Sequence, residues 1–246
     1  HQLNMSKEIL INEEYGTLLN NVKTGDYVEI PTPNEVSNYL PSYRYAQIYY
    51  EDDDLAIVMK PKGVKTHPND LKESNTLMNH VIYTVDSEYV EPIHRLDQET
   101  VGLLIVAKNP LMKKILDRML EYNEITRIYK ANVKALLPIK PQTIDMPIGK
   151  DKFHSNKRRI SNTGQRAITH IIDSKMIKEG VCQLNIKLDT GRTHQIRVHL
   201  AEIGHPVIGD PLYGTSTLRQ LELNSHQIEF THPLTQEIIS VSLDDK

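Results

Sequence analysis

The order of the predicted elements constrains the fold more than any other feature of the sequence. Apolar runs and strict alternation predict strands at residues 9–12, 27–30, 47–50, 55–59, 129–135 and 182–188. Helical spacing of apolar residues predicts helices over 75–85, from 109 to 120, and after Thr190–Gly191. Strands and helices do not alternate regularly, so the sequence predicts an α+β fold with a mixed, mostly antiparallel sheet flanked by helices and loops.

Two asparagines mark the expected starts of the first two helices. Asn75 and Asn109 are predicted as their N-caps, and Pro110 fits the first helical position, where its missing N–H costs nothing. The second helix is expected to bury a stripe of five apolar side chains. These are Leu111, Ile115, Leu116, Met119 and Leu120.

Residues 1–45 are polar, and Pro31, Pro33 and Pro41 discourage regular structure near their end. We expect this segment to be an N-terminal appendage and linker, and residues 46–246 to form one domain. The sequence starts without a basic region and apolar run, so no signal peptide is expected. No run is long and apolar enough for a membrane helix, so no membrane contact is expected either.

The single cysteine, Cys182, excludes a disulfide framework and a zinc site built from several thiolates. It favours a reducing, cytoplasmic setting. The eleven histidines form no zinc-protease pattern, and neither a Gly-x-Ser-x-Gly elbow nor a phosphate-binding Gly-Lys-Ser/Thr loop occurs. We therefore expect no metal and no nucleotide cofactor.

The formal net charge of −3 at first argues against nucleic acid as a partner. However, the window from Lys150 to Arg166 holds six basic residues and one acid, Asp151. An exposed loop of this kind is either simply solvated or binds phosphates. The net charge therefore does not exclude an RNA partner.

Two segments combine polar residues with tight turns, at residues 94–102 and 191–199, and a Gly-rich stretch follows at 204–214. Asp97, just before an apolar strand, is either a nucleophile or base, or a turn former that bonds its own backbone. The helix carrying Arg192, His194 and Arg197 either holds a carboxylate, binds phosphate or is a charged surface helix. Spacing alone leaves these alternatives open.

Taken together, these segments resemble the RluA family of pseudouridine synthases, which isomerise uridine in structured RNA. His94–Leu104 resembles the first motif of the family, Arg127–Ala131 the second and Gly191–Arg197 the third. The Lys60–Gly63 turn and the 204–214 stretch also fit, so the resemblance covers residues 46–246. It implies the pseudouridine synthase fold for that domain. Many members begin with a small RNA-binding module, and residues 9–30 resemble only its terminal strands.

The resemblance implies three catalytic residues. Asp97 would act as nucleophile or as a base at the ribose, through attack on the base, attack on the sugar or a glycal route. Arg197 would pair with this carboxylate and keep it charged in a desolvated pocket. Tyr129 would stack on the uracil, and its hydroxyl can assist removal of the proton from carbon 5. The isomerisation needs no redox change, so the resemblance implies no cofactor.

The resemblance also implies which residues bind the RNA. Because a stacked uridine is out of reach, the enzyme must extrude it. Arg95 would fill the vacated space or contact the flanking backbone. The other expected RNA-binding residues are Leu96, Thr100, Arg192, His194 and Gln195 of the motifs and Lys157, Arg158 and Arg159 of the basic window. Lys60 and Lys62 are expected to add phosphate contacts.

Two other functions compete with the synthase. One is an RNA-binding or assembly protein on the same fold, which would not need Asp97, Tyr129 and Arg197 together. The other is a hydrolase using Asp97 with His94 or His194, which the missing nucleophile elbow disfavours. The expected partner is structured RNA, with ribosomal RNA favoured over transfer RNA. No protein partner is expected, and the chain is expected to act as a monomer.

Overall fold

The computed structural model describes residues 9–16, 22–31, 35–70, 72–214 and 220–245. The chain divides into two compact units, residues 1–35 and 36–246. In the smaller unit, three short strands form an antiparallel sheet in the order β2–β1–β3. They are β1 (Leu10–Ile11), β2 (Glu14–Tyr15) and β3 (Val28–Glu29).

The described part of the larger unit contains strands, three α-helices and a 3₁₀ turn (Leu243–Asp245). The strands are β4 (Gln47–Glu51), β5 (Leu55–Lys60), β6 (Glu91–Pro92), β7 (Val101–Ala107), β8 (Thr126–Lys134), β9 (Gln142–Asp145), β10 (Ile148–Lys150), β11 (Arg158–Ile160), β12 (Ile168–Lys178), β13 (Val181–Leu188), β14 (Leu223–Thr231) and β15 (Ile238–Ser242). The helices are α1 (Leu77–Thr84), α2 (Pro110–Glu121) and α3 (Gln195–Glu202). Among the described residues, no helix is long and apolar enough to cross a bilayer.

One ten-stranded sheet organises the larger unit. Its main path runs β4–β5–β7–β14–β8–β13–β12–β9, while β15 pairs with β14 and β6 pairs with β7. In this part of the chain only the β7–β14 pair is parallel, and the other described pairs are antiparallel. The sheet is therefore mixed and mostly antiparallel, and the predicted α+β class is confirmed.

Helices cover both faces of this sheet because its central strands are apolar on both sides. In β5, Ala56 and Val58 pack into one core with residues of α1 and α3. Leu55 and Ile57 pack into a second core with residues of α2. Tyr129 on β8 belongs to the first core, so its ring lies on the same side of the sheet as α1 and α3.

The parallel pairing of β7 with β14 brings distant parts of the chain together. Gly102 at the start of β7 has a φ of +128°, and a Cβ there would lie 2.2 Å from the carbonyl oxygen of Ser225. Only glycine allows β14 to approach so closely. Ser225 pairs with Gly102 on one side and with Tyr129 on the other. β14 thus joins the strand that follows Asp97 to the strand that carries Tyr129.

The starts of the first two helices follow local capping chemistry. Thr76, and not Asn75, is the N-cap of α1, so the prediction of Asn75 is wrong. The Asn79 side-chain oxygen accepts from the Thr76 backbone N–H at 3.0 Å and from its hydroxyl at 2.6 Å, which fixes the start one residue later. Asn109 caps α2 as predicted and accepts from Met112 N at 2.8 Å.

The buried face of α2 is rotated relative to the predicted stripe. Leu116 and Met119 are buried as expected, together with Met112, which the prediction omitted. Leu111, Ile115 and Leu120 are only half-buried. The six apolar side chains after Pro110 cover about half of the helix circumference, so their spacing alone does not fix which side meets the sheet.

Candidate active site

A cleft of about 650 Å³ opens on the side of the sheet that carries Tyr129. Its walls come from the loop before β7, from β8 and from the segment that leads into α3. Nine predicted site residues line it: Arg95, Leu96, Asp97, Thr100, Tyr129, Arg192, His194, Gln195 and Arg197. Lys157, Arg158 and Arg159 do not line it and lie on a neighbouring hairpin.

Asp97 lies in the loop between β6 and β7, and its side chain is 21% exposed. The loop is held by Thr100, whose backbone N–H donates to the Asp97 carbonyl at 3.0 Å. The carboxylate contacts two side chains of the α3 region. Arg197 Nη1 donates to Asp97 Oδ2 at 3.1 Å, and His194 Nε2 lies 3.8 Å from the same oxygen. The structure thus joins two motifs that are one hundred residues apart.

Arg197 is fixed by a second carboxylate, Asp210, to which sequence reasoning gave no role. Arg197 Nε and Nη2 donate to the two oxygens of Asp210 at 2.8 and 2.9 Å, and both side chains are buried. Burial alone would lower the pKa of Arg197, but the hydrogen bonds and charge of Asp210, with those of Asp97, outweigh it and raise that pKa. The guanidinium stays charged and is aimed at Asp97.

Tyr213 connects His194 to the basic window. Its hydroxyl lies 2.8 Å from His194 Nδ1 and accepts from the Arg158 backbone N–H at 2.8 Å. The guanidinium carbon of Arg197 also lies 5.2 Å from the centre of the Tyr213 ring. Burial lowers the pKa of His194 despite the charge of Asp97, so the imidazole is neutral near pH 7.

The basic window is a hairpin for much of its length and not the open loop expected from its composition. Lys150 pairs with Arg158 where β10 meets β11, and the turn between them is exposed. Lys157, Arg158 and Arg159 are each half-buried. Because Arg158 is bound to Tyr213, this hairpin has a fixed position beside the cleft.

Tyr129 is 5% exposed and lies on β8, where Arg127, Tyr129 and Ala131 share one buried face. Burial raises the pKa of the Tyr129 hydroxyl, while the charge of Arg127 and the nearby Ser225 oppose the rise. Arg127 also lines the cleft, although sequence reasoning gave it no role. The strand alternation could have placed it beside Tyr129.

The segment before α3 is anchored by Gln195. Its side-chain oxygen accepts from the Thr190 hydroxyl at 2.8 Å and from Arg192 N at 3.0 Å. Its side-chain nitrogen donates to Ile168 O and Thr169 Oγ1 at 2.9 and 3.0 Å. Every polar atom of the Gln195 side chain is thus engaged within the protein, and this residue shapes the cleft wall.

The loop before β7 mixes buried and exposed predicted residues. Leu96 and Thr100 are buried, and Leu96 exchanges two hydrogen bonds with the Thr66 hydroxyl, at 3.0 and 3.1 Å. Arg95 is exposed at the cleft, as is Arg192, whose Nε donates to Arg166 O at 3.0 Å. Arg95 and Arg192 are therefore the two accessible arginines of the cleft.

Lys60 does not face solvent, so the expectation that it contacts phosphate is wrong. It is fully buried, and its ammonium donates to the carbonyls of Pro61, Val64 and Gln98 at 3.0, 2.7 and 3.0 Å. Burial lowers its pKa to about 8, against the charges of Asp97 and Glu99. Lys60 thereby ties the turn after β5 to the loop of Asp97.

Asp52, Asp54 and His232 are the described side chains whose spacing suits a metal ion. They do not line the cleft. The carboxylate of Asp52 accepts from the Tyr50 hydroxyl and from two backbone N–H groups. Nδ1 of His232 accepts two backbone N–H groups, so a neutral ring carries its proton on Nε2 and cannot bind a metal there. These residues do not fit a metal ligand set.

Known proteins with similar sequences are RNA pseudouridine synthases. Residues 54–202 match the family model described as RNA pseudouridylate synthase. YhcT of Bacillus subtilis (strain 168), named an RNA pseudouridine synthase, is 40% identical over 95% of this chain and 80% of its own. A ribosomal large subunit pseudouridine synthase D of Nitrosomonas europaea is 36% identical over 78% of this chain and 60% of its own.

Solved structures show the same fold. Human RNA pseudouridylate synthase domain containing 1 superposes with a TM-score of 0.65 at 25% identity, over 82% of this chain and 84% of that one. The matched family segment contains the Asp97 loop, β8 and the start of α3, which together build the cleft. The chain therefore belongs to the RNA pseudouridylate synthase family, in its RluA branch, and is an isomerase that acts on RNA.

Proposed function

We propose that this protein converts specific uridines of ribosomal RNA into pseudouridine, with Asp97 as the catalytic carboxylate. The observation that supports this most is the Asp97 carboxylate in a cleft, held at 3.1 Å by a buried arginine and accompanied by Tyr129. Ribosomal RNA is favoured because several relatives are named ribosomal large subunit pseudouridine synthase D. The RNA substrate and the free, buried Cys182 fit a cytoplasmic enzyme.

The reaction exchanges one bond to the sugar for another. The bond between ribose C1′ and uracil N1 breaks, and a bond between C1′ and C5 forms. C5 loses a proton and N1 gains one, so the product is an isomer of uridine. Asp97 starts the exchange by attacking the base or the sugar, or by removing a ribose proton, and each route requires an ionised carboxylate.

Arg197 keeps that carboxylate ionised and oriented. A guanidinium close to a carboxylate favours its charged form and opposes the effect of desolvation. Asp210 holds the other side of the guanidinium through two hydrogen bonds, so Nη1 points to Asp97 without rearrangement. Such preorganisation lowers the cost of reaching the transition state.

Tyr129 offers the target base an aromatic surface in the same cleft. Because burial raises the pKa of its hydroxyl, Tyr129 is neutral near pH 7, and stacking is its main proposed role. The target uridine must leave the RNA stack to reach this depth. Arg95 is exposed at the cleft, where it fills the vacated space or contacts the flanking backbone.

The remaining proposed contacts are with the RNA backbone. Arg192 lies at the cleft, and Lys157, Arg158 and Arg159 form a basic edge on the adjoining hairpin. Their fixed cations suit the phosphates that flank a structured RNA target. His194 and Gln195 hold this surface in place. His194 contacts the Tyr213 hydroxyl, and the side chain of Gln195 accepts a hydrogen bond from the backbone of Arg192.

Pseudouridine mapping tests the proposed substrate. RNA from cells with and without this protein is treated with carbodiimide, and the reverse-transcription stops are compared. We expect one or a few ribosomal RNA stops to vanish without the protein and to return when it is resupplied. Loss of stops in transfer RNA alone would contradict the proposed substrate. An unchanged map, with no isomerisation by the purified protein, would contradict the function.

A further inference from the structure

Arg127 is a buried cation with an incomplete set of partners. It lies near the start of β8 and is 4% exposed. Its Nε is buried and has no hydrogen-bond partner among the described residues. The ion pairs found in this part of the chain do not include it, whereas buried Arg197 has two carboxylates.

The Arg127 guanidinium lies at the wall of the cleft. It shares the buried face of β8 with Tyr129, and both residues line the cleft. A Cβ on Gly191, another lining residue, would lie 3.8 Å from Arg127 Nη1. Burial together with the charge of Arg127 lowers the pKa of His94 to about 3, so that neighbour is neutral and adds no second positive charge.

A buried charge without an anionic partner is costly to the folded state. Natural proteins retain a destabilising buried charge mainly where that charge acts on a ligand. The described residues around the cleft supply no carboxylate in an ion pair with Arg127, so negative charge on a molecule that enters the cleft would give this cation the partner it lacks. In the proposed reaction this is the target nucleotide, whose base meets Tyr129.

We propose that Arg127 is a further catalytic residue, which stabilises the negative charge that develops on the target uracil. This inference rests on the proposed function. When C1′–N1 breaks, its electron pair stays with the uracil and spreads over N1, O2 and O4. If Asp97 instead attacks C6, the displaced ring electrons reach O4. Both routes place negative charge on the ring next to the Arg127 guanidinium.

The return half of the reaction restores neutrality. C5 uses an electron pair of the ring to bond C1′, the C5 proton leaves, and N1 takes up a proton. Negative charge is therefore present on the ring only from cleavage of C1′–N1, or from attack on C6, until C5 bonds C1′. A fixed donor that meets charge at this stage accelerates the reaction without tightening substrate binding, typically by a factor of ~100 to ~1,000.

Arg127→Gln tests the inference because glutamine keeps polar reach but loses the charge. We expect the single-turnover rate with saturating RNA to fall ~100-fold. The Kd for RNA should stay within ~3-fold, with the same salt dependence. Arg127→Lys should recover part of the rate. Arg118→Gln, at an exposed position of α2, is the control for loss of one positive charge and should leave the rate unchanged.

Thermal unfolding separates this role from a structural one. Removing a buried charge that has no anionic partner should leave the Tm of Arg127→Gln equal to or above that of the wild type. A structural arginine would instead lower the Tm on replacement. A lower Tm together with proportionate loss of RNA binding would therefore overturn the inference.

A change of leaving group gives a test specific to the chemistry. Fluorine at C5 withdraws electrons and stabilises the uracil anion, so RNA with 5-fluorouridine at the target depends less on Arg127. We expect the loss caused by Arg127→Gln, measured as disappearance of the nucleoside, to be at least ~10-fold smaller for 5-fluorouridine than for uridine.

Equal losses for both nucleosides would overturn the inference. A weaker Kd with a salt slope reduced by about one would show a phosphate contact instead and would also overturn it. If the wild-type protein isomerises no uridine in any RNA, the proposed function fails first, and this outcome is visible before any Arg127 variant is compared.

Discussion

At the scale of single residues, the position of Arg197 depends on Asp210 as much as on Asp97. Asp210 is fully buried, accepts two hydrogen bonds from Arg197 and accepts backbone N–H groups of Leu212 and Tyr213 at 2.8 and 3.1 Å. Breaking a buried pair by removing one charge is strongly destabilising, because the other charge stays buried. Asp210 therefore contributes both to stability and to the site.

We predict that Asp210→Asn lowers the free energy of unfolding by about 3 kcal/mol or more and lowers the isomerisation rate. Urea denaturation measures the first effect. Asp244→Asn is the matched control, because Asp244 is 73% exposed and pairs with Lys130 at 3.2 Å. Its loss should leave the free energy of unfolding close to that of the wild type. Equal costs for the two variants would contradict the assigned role of Asp210.

The same pair predicts a pH dependence. Burial alone would raise the pKa of Asp210, but the hydrogen bonds and charge of Arg197 outweigh it and lower that pKa. The stabilisation is thus complete above the unfolded pKa of about 3.9 and is lost as the pH falls through the lower folded value. The stability difference between wild type and Asp210→Asn should be constant near neutral pH and shrink below about pH 4.

The catalytic roles of Asp97, Arg197 and Tyr129 were predicted only through the resemblance, since spacing left each alternative open. It did not find the partner of Arg197. Asp210 stands in a Gly-Asp-Pro turn, where an aspartate ordinarily bonds its own backbone. Which distant side chain it also meets depends on the tertiary fold, and no local pattern reports that.

At the scale of elements, Lys60 joins the turn after β5 to the loop before β7. Its ammonium satisfies three backbone carbonyls, one of them Gln98 O, directly beside Asp97. Gly63 N donates to the same Gln98 carbonyl at 2.9 Å, and Gln98 Nε2 donates back to Gly63 O at 3.0 Å. A lysine is ordinarily exposed, which is why its sequence position suggested a phosphate contact.

We predict that Lys60→Met lowers the free energy of unfolding by about 2 kcal/mol or more, because it leaves buried carbonyls without donors. The rate should fall as well, since the loop of Asp97 loses an anchor. Lys62→Met on the same turn is the control and should change stability by less than about 0.5 kcal/mol. If Lys60→Met retains full stability, the carbonyl contacts are not needed.

The β10–β11 hairpin carries the main proposed RNA surface outside the cleft. We predict that replacing Lys157, Arg158 and Arg159 by glutamine weakens RNA affinity and flattens its salt dependence, by about one unit for each phosphate that is no longer bound. Binding titrations at several salt concentrations measure both quantities. Replacing Lys114, Lys175 and Lys178 by glutamine removes the same charge elsewhere on the protein.

The control triple variant should keep the salt slope of the wild type. If both triple variants behave alike, the effect is one of overall charge, and the hairpin is not a specific contact surface. The hairpin was not predicted because its two strands have only three residues each, too few to show an alternating pattern among the surrounding turn residues.

At the scale of the whole molecule, the α+β class followed from the irregular order of elements, while the sheet order did not. The parallel β7–β14 pair depends on Gly102 and Ser225, which are more than one hundred residues apart. Local strand patterns cannot report such pairing. This pairing also brings Tyr129 and the loop of Asp97 to the same cleft. The site therefore forms only when the whole sheet has assembled.

The cleft joins distant segments of the chain around one carboxylate, and Asp97 is the residue that we propose performs the chemistry. The most direct test measures pseudouridine formation and RNA binding by Asp97→Asn on the RNA that the wild type modifies. We predict that isomerisation is abolished while the Kd stays within a few-fold of the wild-type value. Full isomerisation by Asp97→Asn would contradict a catalytic role for Asp97.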